Sequence, residues 1–104
     1  MMEKHQYDAL RNLSNGLFKN GLVVPAAACI TEIELGEAFG VTWVREQLGG
    51  RAAANQIHEV LARLETCEAL EQLPYPGRPH PRMWRRLDSP FWTFIEAWTK
   101  LHAA

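Results

Sequence analysis

The chain has 104 residues, 47% of them hydrophobic and 22% charged, with a formal net charge of −1. That length holds one hydrophobic core rather than two, and that composition excludes a disordered or uniformly basic tail protein. Two cysteines do not make a disulfide scaffold, and the charge-free run from Gly21 to Thr31 is far shorter than the roughly 20 residues that cross a bilayer. The opening segment MMEKHQYDALRN has no apolar signal region, so a cytoplasmic domain with reduced thiols is expected.

Tyr7, Leu10, Leu13, Leu17 and Phe18 recur at three- and four-residue spacing and predict a helix over residues 7–19. Asn20-Gly21 stops it, since both residues tolerate a left-handed helix end. A second helix is expected over about 25–39, opened by Pro25 and weakened by Gly36. Thr42 reads as the N-cap of a short helix ending near Leu48, and Gly49-Gly50 breaks the chain. A longer helix follows over 52–66. Its stripe of Ala53, Ala54, Ile57, Val60, Leu61 and Leu64 repeats at the helical period. Its outer face carries Arg51, Asn55, Glu59, Ala62 and Arg63, flanked by Gln56 and His58. Residues 69–73 and 83–87 read as two strands. The intervening 74–81 hold four prolines and exclude both helix and central strand. Asp88-Ser89-Pro90 opens a last, aromatic helix over 91–101. The expected fold class is α+β, mainly α.

Helix, tight turn, longer helix, strand, proline-arginine loop, strand and helix is an informative order. The stretch Val41-Thr42-Trp43-Val44-Arg45-Glu46-Gln47-Leu48, the turn Gly49-Gly50-Arg51, the helix 52–63 and the exit Leu64-Glu65-Thr66-Cys67-Glu68-Ala69-Leu70 carry it. This segment, about residues 25–90, resembles the winged-helix transcriptional regulators of the multiple-antibiotic-resistance and PadR kinds. Glu68 stands where those families usually have Gly. The resemblance implies one winged helix-turn-helix domain over 1–104. Residues 1–24 would form an added N-terminal helix, 25–88 a core with a two-stranded wing, and 89–104 a C-terminal dimerisation helix. It also implies a homodimeric, sequence-specific regulator of double-stranded DNA.

Chemistry supports that expectation independently. A reading helix needs one packed face and one short polar face to enter a major groove. Asn55 and Gln56 are suited to adenine, Arg51 and Arg63 to guanine or phosphate, and Glu59 to cytosine. Thr42 and Arg45 would touch phosphate from the preceding helix. The loop and second strand hold Arg78, Arg82, Arg85 and Arg86 and no acid, four of the chain's eleven Lys and Arg within residues 74–86. Basic clustering of this kind is the footprint of a backbone contact.

Opposing signals are also present. Residues 29–71 hold eight acids against three arginines, a net of −5, which weakens attraction to phosphates. Any amphipathic helix shows a polar outer face. The alternative is therefore a winged helix that binds another protein, as a complex subunit or small inhibitor, and not DNA. Pro76-Gly77-Arg78-Pro79 fits PxxP, but the wing reading accounts for it better. Trp84, Trp92 and Trp98 read as core and interface rather than a base-stacking platform. Phe91, Phe94, Ile95 and Trp98 form a stripe that wants a partner, either a second subunit or the first helix. His5, His58, His80 and His102 are scattered and Cys29 and Cys67 stand alone. An enzyme, a metal and a cofactor are not expected, nor is a membrane partner.

Overall fold

The computed structural model describes residues 2–102. The expected outer limits at 1 and 104 lie outside the described residues. Helix α1 (Lys4–Phe18) buries Tyr7, Leu10 and Ser14, and Gln6 Oε1 accepts from the Glu3 N–H at its start. The left-handed residue that ends it is Lys19, at φ +55°, rather than the expected Asn20-Gly21 pair. Asn20 turns the chain differently, its Oδ1 accepting from the Leu22 N–H at 3.0 Å. Fully buried Ser14 links the two helices on either side. Its hydroxyl donates to the Asn20 carbonyl and accepts from the Val24 N–H.

Helix α2 (Val23–Ile30) is buried at all eight positions and forms the centre of the core. Pro25 lies in its first turn, where no N–H is required. The helix stops at Ile30, well before the expected Phe39. The Thr31 hydroxyl closes it on the Ala28 carbonyl at 2.6 Å. Gly36 then takes φ +85°, a conformation that L side chains resist. The chain next enters strand β1 (Ala38–Gly40), which the sequence did not announce.

Helix α3 (Val41–Gln47) has Gly40 at its N-cap. Thr42, expected there, is instead the helix's second residue. Gly49 and Gly50 follow at φ +71° and +74°. L side chains rarely adopt such a backbone conformation, so the turn favours glycine at both positions. Helix α4 (Ala54–Thr66) starts two residues later than expected and buries Ile57, Val60, Leu61 and Leu64. Ala53 and Ala54, expected in the stripe, are exposed, and Ala52 is buried in their place. Gln56 Oε1 accepts from the Ala53 N–H at 2.9 Å and satisfies an orphan donor at the helix start. Glu68 takes φ +62° beyond the helix end.

Strands β2 (Leu70–Gln72) and β3 (Met83–Arg86) pair antiparallel, with Glu71 opposite Arg85. The sheet has three strands in the order β1-β3-β2, one more than the expected hairpin, with Phe39 opposite Trp84. Helix α5 (Pro90–His102) begins where Ser89 Oγ accepts from the Phe91 N–H. It sends Trp92 and Ile95 into the core. The architecture is α+β and mainly helical, with five helices and one small antiparallel sheet among the described residues.

Candidate nucleic-acid interface

Helix α4 lies on the body through its apolar stripe, so Asn55, Gln56, Glu59, Ala62 and Arg63 face solvent. One residue of β3 ties α4 to the sheet. Trp84 is 2% exposed. Its Nε1–H donates to Glu65 Oε1 at 2.5 Å, and its ring meets His58 edge-on with centroids 5.3 Å apart. Two α4 side chains, about two turns apart, therefore hold the same indole. The spacing of His58 and Glu65 along the helix was visible in the sequence, but their common partner was not.

Thr42 from α3, Ala54 and His58 from α4, and Arg82 from the 73–82 loop line one cleft at the N-terminal end of α4. Thr42 and Arg45 also line a neighbouring hollow with Gly49 and Gly50. Three elements distant in sequence thus bring hydroxyl, imidazole and guanidinium groups to one side. Arg78 and Arg82 are exposed, and the Arg82 guanidinium lies 4.3 Å over the Tyr75 ring.

The other expected contacts are differently engaged. Arg63 pairs with Glu59 at 3.6 Å, one turn away on the same exposed face. Gln56 spends its carbonyl on the helix cap. Arg85 is held twice by the Glu71 carboxylate, through Nε at 2.7 Å and Nη2 at 2.5 Å. Arg51 is engaged with the chain before α1 and the end of α3. Its Nη1 donates to the Met2 and Leu48 carbonyls at 2.8 and 2.9 Å, with its guanidinium 5.5 Å over the Tyr7 ring.

Arg86 departs furthest from expectation. It donates to the carbonyls of Thr31 and Ile33 beyond the end of α2 and lies 4.9 Å over the Trp92 ring. Its Nε is buried without a hydrogen-bond partner. Burial pulls its basicity below the ordinary arginine value, with the Glu96 charge acting the other way. A guanidinium so placed braces the core and does not reach a phosphate.

The thiols separate cleanly. Cys29 is buried, and burial with the nearby Glu32 carboxylate pushes it up to about 12. It therefore stays protonated at neutral pH and is no nucleophile. Cys67 is exposed beyond α4. No three His, Cys, Asp or Glu side chains among the described residues form a metal-holding group, and no described helix is long and apolar enough to cross a membrane. Compared with family models, curated proteins and solved structures, the chain matches none of them.

Proposed function

We propose that the chain is a winged helix-turn-helix domain that binds double-stranded DNA as a homodimer and acts as a small transcriptional regulator. The observation that carries this reading is the convergence of Thr42, His58 and Arg82 at the N-terminal end of α4. Helix α4 would enter the major groove, with Asn55, Glu59 and Arg63 toward base edges. Thr42, Arg45, Arg78 and Arg82 would hold the backbone from either side. Arg51, Arg85 and Arg86 take structural duties instead. The dimer would form through an apolar strip where Ala9, Leu13, Gly16 and Leu17 of α1 meet Trp98 of α5. Phe94 and Leu101 extend the strip outward, at 43% and 76% exposed. A two-fold pair would then present two α4 helices to a two-fold site.

The test is anisotropy of a labelled random-sequence duplex at low and moderate salt. Affinity is expected to fall steeply with salt, and Arg82→Ala should flatten the slope by roughly one. A wild-type protein that binds no duplex at low salt would refute the DNA reading. The second reading, a winged helix that binds protein, is supported by the net charge of −5 over residues 29–71 and predicts that null result.

A further inference from the structure

The cleft at the start of α4 continues along β1. A hollow of about 430 Å³ holds Thr42, His58 and Arg82, and an adjoining one of about 380 Å³ holds Glu32 and Glu37. The two share Gly40, Trp43 and Met83 as a common middle. Each volume is within the roughly 300–1,000 Å³ of a ligand site. Strand register orders the ends. Gly40 is opposite Met83, which follows Arg82, and Ala38, which follows Glu37, is opposite Arg85. The cationic and anionic ends are therefore separated by the length of β1, roughly 10 Å for three residues.

We propose that this cleft binds an extended peptide segment of a partner protein. The segment carries an acidic and a basic side chain three to four residues apart, with an apolar side chain between them. Its acid pairs with Arg82 and its base with Glu37 and Glu32. Its apolar side chain rests on Trp43 and Met83. The floor suits this role. Trp, Met and Arg are the residue types enriched at protein interfaces, and an unbranched thioether adapts to whatever it covers. Gly40 lets the Met83 thioether lie directly against the strand, since a Cβ there would stand 3.0 Å from Met83 Sδ. A uniform polyanion pairs with Arg82 alone, whereas a mixed-charge peptide engages both ends of the combined cleft. Because Arg82 and Thr42 also belong to the proposed DNA face, peptide and duplex exclude one another.

The test uses the whole chain and no DNA, so its outcome is separate from the DNA reading. A displayed library of seven-residue peptides is selected against the protein, and the enriched sequence is synthesised with a fluorescent label. The expected consensus has one acid and one base flanking an apolar residue. Arg82→Glu and Glu37→Lys should each weaken that peptide at least tenfold, and a peptide with its two charges exchanged should bind the double variant better than wild type. Both sites are exposed, and circular dichroism verifies that the variants fold. Failure to enrich any peptide overturns the proposal. So does a uniformly acidic consensus indifferent to Glu37→Lys, or a peptide that binds Arg82→Glu as tightly as wild type.

Discussion

Replacing Arg86 with Met separates a core brace from a DNA contact. The substitution keeps an unbranched apolar stem over Trp92 and deletes the guanidinium. Lost with it are two charge-assisted hydrogen bonds, to the Thr31 and Ile33 carbonyls, each worth about 1.5–3 kcal/mol net. The cation over the Trp92 ring contributes roughly another 0.5–2 kcal/mol. Two effects act the other way. The buried Nε that lacks a partner disappears, relieving about 1–3 kcal/mol, and the partly buried carbonyls regain some water. The balance is a destabilisation of about 2–3 kcal/mol. For a domain of this size that lowers Tm by roughly 10–20 °C. Urea unfolding followed by circular dichroism measures it, with an unchanged m-value showing that the transition is comparable. Duplex affinity of the folded variant should keep its salt slope. A loss below about 0.5 kcal/mol together with a slope reduced by one would refute the reasoning, because the guanidinium would then be serving phosphate rather than α2.

Glu68 stands in the left-handed region at φ +62°. Glu68→Gly removes a strain of about 1–2 kcal/mol against an entropic cost of about 0.5–1 kcal/mol, so thermal unfolding should show a gain of roughly 0.5–1 kcal/mol. Native protein treated with iodoacetamide should be modified at Cys67 alone, with Cys29 reacting only in denaturant, as mass spectrometry would show. The raised Cys29 value also has a pH signature. The folded state keeps this proton to about pH 12, whereas an unfolded thiol loses it near 8.5. Stability from Cys29 is complete below that lower value and falls between the two by roughly 1.4 kcal/mol per pH unit. Cys29→Ala should flatten the alkaline stability profile relative to wild type. Leu17→Glu, at a position 46% exposed, should leave the monomer's circular dichroism unchanged and abolish any dimer in sedimentation velocity. A dimer that survives it would place the interface elsewhere.

Much of the scaffold was legible because its signals are local. The period of Ile57, Val60, Leu61 and Leu64 announces α4, four prolines force the loop, and Ser89-Pro90 opens α5. What was hidden depends on partners distant in sequence. Strand β1 has three residues, too few to show an alternating pattern, and it exists because Trp84 and its neighbours on β3 pair with it. Helix α2 gave no polar face to mark its limits, since all eight residues are buried. Composition placed Arg85 and Arg86 together in a basic cluster. The pleat of β3 then separates them, one toward Glu71 and one toward the end of α2. Arg51 was assigned to the outer face of the reading helix, yet its partners are Met2, Leu48 and Tyr7. Thr42 has the chemistry of a cap, but β1 delivers Gly40 to that position first.

The contacts of Arg51 tether the α3–α4 turn to the segment before α1 and to Tyr7. The Met2 N–H donates to the Gln47 carbonyl at 2.7 Å, and Arg51 ties the Met2 carbonyl to that of Leu48. Three hydrogen bonds thereby tie the segment leading into α1 to the α3–α4 turn. Tyr7→Leu would loosen that linkage, and the amide resonances of Gly49 and Gly50 would register the slack directly.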